Sequence, residues 1–269
     1  MNNNLTIMVV STDSYCDLWN DCFGCIKKYW EDCPYKIVLV NNSIDFNYPN
    51  IEIINCGTDA QWSERTRKAL QKIDTKYVCF MLEDFFISAS VNSNLISEAI
   101  SFMDEHGINY YKLMSLTKFI SDKYNSFDYL QKITQSYPYG ISLMPAIWNR
   151  DFFLEKIGEG KYNPWKFEID RLEEEKKSSN SSKIIGVFDN RNILNITHMV
   201  VQGKFLPSAI KKMGKLGFCQ TPLRKSMSYP EYYFYRIKLF VTVQIRKYPV
   251  IRTLLSPLKK YSISEKYKS

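Results

Sequence analysis

Two adjacent carboxylates, Glu83 and Asp84, stand directly behind an apolar run, Tyr77-Val-Cys-Phe-Met-Leu82, and ahead of Phe85-Phe86. A continuous apolar run of this kind predicts a strand covered on both faces, inside a parallel or mixed sheet. In open α/β sheets ligands bind beside the carboxyl ends of the strands, which is where this acid pair falls. The two phenylalanines partly wall the acids off from water, which is costly unless something positive or hydrogen-bonding meets them. A simple turn, or a cap for the next helix, is the alternative use of such a pair.

Three more side chains could share that chemistry. In the segment Asp59–Ile73, the residues Trp62, Thr66, Ala69, Leu70 and Ile73 fall on one helical face, with Arg65 at its edge and Arg67 and Lys68 pointing away. A permanently charged five-donor fork at that edge suits a phosphate, the alternative being a rim salt bridge. Glu168 follows Asn163-Pro-Trp-Lys-Phe and opens a charged helix running to Lys177. Trp165 and Phe167 beside it give a desolvated setting, which raises a carboxyl pKa and suits a general base near neutral pH. Interaction with the helix dipole is the other reading. Lys204 follows Gly203, whose lack of a side chain allows close backbone approach, so its ammonium can hold a phosphate as a point charge. His198, just upstream, is a further candidate, although a lone histidine is more often structural. Tyr139 and Trp165 offer rings for stacking.

The elements that must position these groups read as alternating strands and helices. Leu5–Val10 is the first strand and ends in Ser11-Thr-Asp-Ser-Tyr15, a polar turn with no glycine, so the dinucleotide fingerprint GxGxxG is absent. A helix over Asp17–Tyr29, a strand over Tyr35–Asn42 and a shorter strand over Ile51–Asn55 follow. Strand, helix, strand at this spacing predicts a right-handed crossover and a parallel sheet. Ser93 is the expected N-cap of a helix stopped by Gly107, and Asn109–Met114 is a further strand. Ser115–Tyr137 has little periodicity and reads as an insertion facing substrate. Lys183–Phe188 and Ile193–His198 read as a terminal strand pair.

With 269 residues, 45% of them hydrophobic and 15% aromatic, the chain has ample material for a core. Its seven cysteines, irregularly spaced, suit a reducing compartment. Cys22-Phe-Gly-Cys25 has no second pair at zinc spacing and reads as buried apolar cysteine. Residues 224–269 carry eleven Lys or Arg against two Glu, +9 of a chain total of +8, which leaves −1 on the preceding 223 residues. The basicity belongs to the tail, and nucleic-acid binding, which needs a basic face on the folded part, is not expected. Met1-Asn-Asn-Asn leads straight into the first strand with no basic n-region, and no segment reaches the ~18 apolar residues of a membrane span. The expectation is a cytoplasmic protein with a catalytic region over 1–222 and a basic, aromatic extension over 223–269.

Taken together, Trp62-Ser-Glu-Arg-Thr-Arg-Lys-Ala-Leu70, the strand ending Leu82-Glu-Asp84, Pro145-Ala-Ile-Trp-Asn-Arg150, Asn163-Pro-Trp-Lys-Phe-Glu168 and Gly203-Lys204 resemble bacterial GT-A-fold glycosyltransferases of capsule and O-antigen gene clusters. The resemblance covers roughly Leu5 to Pro207. It implies an α/β, Rossmann-like mixed sheet flanked by helices. It implies that Thr12, Asp13 and Tyr15 surround the base and ribose, that Arg65 approaches the nucleotide, that Asp84 is the metal- or ribose-binding acid, and that Glu168 activates the acceptor in inverting fashion. Where the family has Asp-x-Asp this chain has Leu82-Glu-Asp84. Mg2+ or Mn2+ on Asp84 and a metal-free site using Arg65 and Lys204 therefore both stay open.

The expected reaction is glycosyl transfer from a nucleotide-sugar to a hydroxyl of a lipid-linked saccharide. The rivals are a sugar nucleotidyltransferase and a noncatalytic glycan-binding scaffold. Tyr229–Lys247 mixes aromatic and basic residues and is expected to lie on an anionic membrane surface, with Tyr232, Tyr235, Leu239 and Val243 as its apolar row. That would make the protein peripheral on the inner face of the plasma membrane.

Overall fold

The computed structural model describes residues 4–115, 121–137, 140–178, 182–220 and 222–247. The chain forms two compact units, 1–197 and 198–269. The division drawn from charge at 222/223 falls inside the second of them.

The first unit starts with Leu5–Val10 (β1), every residue of which is buried, including Thr6, whose hydroxyl accepts from the Thr75 hydroxyl at 3.0 Å. Next come Trp19–Tyr29 (α1), Lys36–Asn41 (β2), Ile51–Asn55 (β3), Trp62–Lys72 (α2) and Tyr77–Leu82 (β4). A three-residue strand, Phe85–Ile87 (β5), leads to Ser93–His106 (α3), followed by Tyr110–Lys112 (β6), Lys123–Tyr124 (β7) and Phe127–Thr134 (β8). Ala146–Asn149 (β9), Arg150–Ile157 (α4), Pro164–Lys177 (α5), Ile184–Asp189 (β10) and Ile196–His198 (β11) complete it.

Nine strands form one sheet among the described residues, in the order β3-β2-β1-β4-β9-β6-β10-β8-β7. β1 is parallel to both β2 and β4, and β2 to β3. β9 runs antiparallel between β4 and β6, and β10 is parallel to β6. The architecture is thus the expected mixed α/β sheet flanked by helices. The order also contains a reversal: the chain builds outward from β1 through β2 to β3, then returns to place β4 on the other side of β1. Such a switch point leaves a crevice at the strands' carboxyl ends.

One face of the sheet is closed by aromatic packing that ties its helices to β4. Trp62 of α2 meets Phe80 of β4 at 6.4 Å between ring centroids and Phe167 of α5 at 5.5 Å, while Trp148 of β9 stacks on Phe153 of α4 at 4.2 Å. Trp148, Phe153 and Phe167 are almost completely buried. Offset aromatic contacts of this kind add roughly 0.5–1.5 kcal/mol each beyond area burial. α2 and α5 are therefore fixed side by side against the strand that carries the acid pair.

Several local expectations change. The cap of α3 is Asn92, whose side chain accepts from the Asn94 N–H, while the Ser93 hydroxyl accepts from the Trp30 indole 2.8 Å away. Gly107 stops that helix in the left-handed conformation, φ 63°, as expected. α5 starts at Pro164, four residues before Glu168, because Asn163 caps it by accepting from the Lys166 N–H and proline is favoured in a first turn. The stretch read as an insertion contains β7 and β8, and β8 pairs antiparallel with β10 inside the main sheet; residues 116–120 lie outside the described residues. β11 pairs with β5 and not with β10, so the terminal pair expected over Lys183–His198 does not form.

The second unit contains Val200–Val201 (β12), Lys204–Phe205 (β13), Pro207–Lys215 (α6) and Tyr229–Lys247 (α7). β12 and β13 form a two-stranded antiparallel ladder.

Candidate active site at the strand tips

The crevice is built from the ends of β1, β2 and β4. Val10 is in register with Leu82 on one side and Val40 on the other, so Ser11-Thr-Asp13, Asn41-Asn42 and Glu83-Asp84 leave the sheet side by side. Asp13 caps the β2 tip: its carboxylate accepts from the Asn42 and Ser43 N–H groups at 3.1 Å and from the Ser43 hydroxyl at 2.8 Å. Burial pushes the Asp13 carboxyl up, but these bonds outweigh it and hold the pKa below the usual aspartate value. The Thr12 hydroxyl donates to Asn42 Oδ1 at 2.9 Å, and Asn42 Nδ2 lies 3.1 Å from each of the Gly57, Thr58 and Ala60 carbonyls. Asn42 thereby ties the β1 turn to the loop entering α2. It was not singled out from sequence, where the only signal was an Asn pair closing an apolar strand.

Arg65, in the first turn of α2, is 8% exposed and donates to the Ala60 carbonyl. Burial lowers its pKa from the ordinary value, while Cys56, Glu83 and Asp13 act in the opposite sense. A guanidinium stays charged under such pressure, so a cation is fixed near the acid pair. Glu83 and Asp84 are themselves 7% and 8% exposed. Tyr15 is half-buried in the short 3-10 turn Asp13–Leu18 beside this edge.

Glu168 belongs to the same edge, two strands further along. Ala146 of β9 pairs with Phe80 on one side and Lys112 on the other, which sets Lys112 roughly 10 Å across the sheet from β4. The chain from Leu143 to Pro145 runs past the β6 tip, since the Leu113 N–H donates to the Pro145 carbonyl at 3.1 Å. Glu168 accepts from the Leu143 N–H at 3.2 Å. Phe167 turns into the core and Trp165 is 46% exposed, so the two rings expected to enclose Glu168 diverge.

Lys112 is the charged neighbour that sequence reasoning missed. It is 3% exposed, and burial lowers its pKa from 10.5 to about 8 against the opposing pull of Glu168 and Glu175. A lone cation within the apolar strand Tyr110-Tyr-Lys-Leu113 was the available signal. Between pH 8 and 10.5 the unfolded amine holds its proton and the folded one does not, so stability rises with pH across that window. The stability of the wild type relative to Lys112→Met is therefore expected to increase by on the order of 3 kcal/mol between those limits. Urea denaturation of both proteins at each pH measures it, and a flat difference refutes the buried-ammonium account.

Lys204 and His198 belong to the second unit, where the Lys204 ammonium lies 2.7 Å from Glu231; His198 is half-buried at the end of β11. Tyr139 lies outside the described residues. No three His, Cys, Asp or Glu side chains among the described residues are grouped to hold a metal ion by themselves. A cavity of about 210 Å³ opens at the opposite edge of the sheet, between α4 and α5, lined by Asn109, Phe152, Arg171, Glu175 and Lys183 among others. It lies away from the strand tips, and the acid pair does not line it.

The sequence matches no family model and no curated protein. Three of the similar solved structures are S. aureus TarS 1–349 in complex with UDP (13% identity, 70% of this chain, 58% of that chain, TM-score 0.45), a cytidylyltransferase from Leptospira borgpetersenii (12%, 92%, 96%, 0.47) and an active-site mutant of LgtC (13%, 81%, 81%, 0.37). The chain spans 36% of the length of the longer TarS structure and under three-fifths of its 1–349 form.

Proposed function

We propose that the protein transfers a sugar from a nucleotide-activated donor to a hydroxyl of a saccharide. The observation that carries the reading is the switch-point crevice itself. Asp13, Asn42, a buried Arg65 and the Glu83-Asp84 pair gather at the tips of β1, β2 and β4, with Glu168 on the same edge of the sheet.

In this reading the base and ribose lie against Thr12, Asp13 and Tyr15, and Arg65 meets the diphosphate. The gap between the β4 tip and Glu168 holds the sugar, with Trp165 a stacking surface for the acceptor. Glu168 takes the proton of the acceptor hydroxyl while that oxygen's lone pair forms the new bond to the anomeric carbon. The bond from the anomeric carbon to the diphosphate oxygen breaks, its electron pair leaves with the diphosphate, and configuration inverts. Donors already fixed where the leaving charge develops stabilise the transition state without reorganisation, which is the role of Arg65. Mg2+ is commonly held by one or two carboxylates with substrate phosphates completing the shell, and Glu83 and Asp84 fit that donor count. A cation there would add charge stabilisation of the leaving group. Lys204 is engaged by Glu231, and the reading does not require it. The finer assignment is an acceptor that is a lipid-linked saccharide of a capsule or O-antigen type polymer.

A thermal-shift panel of UDP, GDP, CMP and dTDP, with and without Mn2+, tests the donor half. One nucleoside diphosphate at ~100 times its Kd should add about 2.7 kcal/mol, a rise of roughly 5–10 °C, and Asp13→Ala should reduce it. No shift with any nucleotide overturns the reading. Release of pyrophosphate from a nucleoside triphosphate and a sugar phosphate would assign the site to nucleotidyl transfer instead.

A further inference from the structure

α7 presents to solvent a stripe that a folded helix normally hides. Tyr229, Tyr233, Ile237 and Val241 recur every four residues and Phe234 lies beside them, and Tyr233, Phe234 and Ile237 are 62%, 71% and 61% exposed. At 3.6 residues per turn these five occupy roughly 140° of arc. Of the row expected to be the apolar face, Tyr232, Tyr235 and Leu239 lie on the other side and are half-buried, while the Val243 side chain lies outside those described; the Tyr232 hydroxyl lies 2.8 Å from Ser208 Oγ of α6. The helix therefore uses one apolar row to pack within its own unit and leaves a second, more aromatic one uncovered.

The margins of that stripe are charged. Arg236 falls just outside its Tyr229 edge and Lys238 just outside its Phe234 edge, both exposed. Beyond the helix, the sequence adds Arg252, Lys259, Lys260, Lys266 and Lys268 against Glu265. Among the described residues no helix is long and apolar enough to cross a membrane. An apolar, aromatic stripe bordered on both sides by cations matches a layer in which hydrocarbon lies beneath anionic head groups. A protein partner would need an apolar groove with acidic walls, and the +9 of residues 224–269 opposes pairing of this segment with its own counterpart in a second copy.

We propose that α7 lies in the plane of an anionic lipid surface, with Tyr233, Phe234 and Ile237 inserted at the acyl boundary and Arg236 and Lys238 on the head groups. This docking does not depend on which reaction the first unit performs. A lipid-linked acceptor would be reached from such a surface without crossing water.

The test is co-sedimentation of the full chain with vesicles of phosphatidylcholine alone and of phosphatidylcholine containing phosphatidylglycerol. Wild type should bind the anionic vesicles and not the neutral ones, with binding weakened by salt. Phe234→Ser/Ile237→Ser should lower the partition constant at least ~100-fold, since each ring or branched chain contributes ~10-fold or more on burial. Arg236→Glu/Lys238→Glu should abolish the preference for anionic lipid. These side chains are exposed, so melting temperature and circular dichroism should not change, which separates lost docking from lost folding. Equal binding by wild type and Phe234→Ser/Ile237→Ser overturns the proposal, as does equal binding to neutral vesicles. It is also overturned if wild type is dimeric without lipid and the Ser variant monomeric, because a second copy then covers the stripe.

Discussion

Glu168→Gln is expected to slow single-turnover sugar transfer by roughly 10²- to 10⁴-fold, the usual contribution of a positioned general base. Gln keeps an oxygen for the Leu143 N–H, which Glu168 now accepts at 3.2 Å, so the local backbone should hold. What it loses is the ability to accept the acceptor's proton. Glu175 still faces Lys112 in the variant, so the buried ammonium keeps one carboxylate neighbour and the protein should stay folded. Nucleotide-induced thermal shifts should be unchanged, because Glu168 lies two strands from the β1/β4 crevice. A folded variant transferring at the wild-type rate would remove Glu168 from the role while leaving the donor site intact. Loss of the nucleotide shift would mean instead that α5 had moved.

Asp189→Ala should produce the largest loss of stability, about 3–5 kcal/mol, the cost of removing one partner from a buried ionic cluster. Asp189 is completely buried at the end of β10. Its carboxylate accepts from the Tyr111 hydroxyl at 2.5 Å, from the Arg191 N–H at 2.8 Å and from the Arg191 guanidinium at 2.8 Å. Arg191 also lies 3.8 Å above the Tyr129 ring and 3.1 Å from Glu98 of α3. Deleting the carboxylate leaves the Tyr111 hydroxyl and the Arg191 backbone N–H without their acceptor and the Arg191 guanidinium with Glu98 as its remaining carboxylate. Asp189→Asn keeps one acceptor oxygen and should cost less. Urea unfolding of the three proteins measures the order, and an Asp189→Ala protein as stable as wild type would show that the cluster relaxes or admits water. Because β10 lies three strands from β4, nucleotide binding by the surviving folded fraction should be preserved.

In α7 the row expected to be the exposed apolar face is the half-buried one, and a second row faces solvent. The sequence of Tyr229–Lys247 is apolar at two angular positions, and periodicity alone does not say which one packs inward. The choice of Tyr232, Tyr235 and Leu239 follows from what α6 offers, including the Ser208 hydroxyl for the Tyr232 phenol.

Apolar runs at Leu5–Val10, interrupted only by Thr6, and at Tyr77–Leu82, with helical spacing between, were enough to establish an α/β chain with an acid pair at a strand tip. Those are local properties, because the side-chain periods of strands and helices are written residue by residue. Which strands became neighbours was decided by long-range pairing. The antiparallel β9 inserted between β4 and β6, the recruitment of β8 to the sheet and the pairing of β11 with β5 all join segments whose patterns are individually ambiguous. The same holds for Asn42 and Lys112. The polarity of each conflicts with its apolar surroundings, and partners folded in from distant segments, carbonyls before α2 for Asn42 and the glutamates of α5 for Lys112, determine what these side chains do.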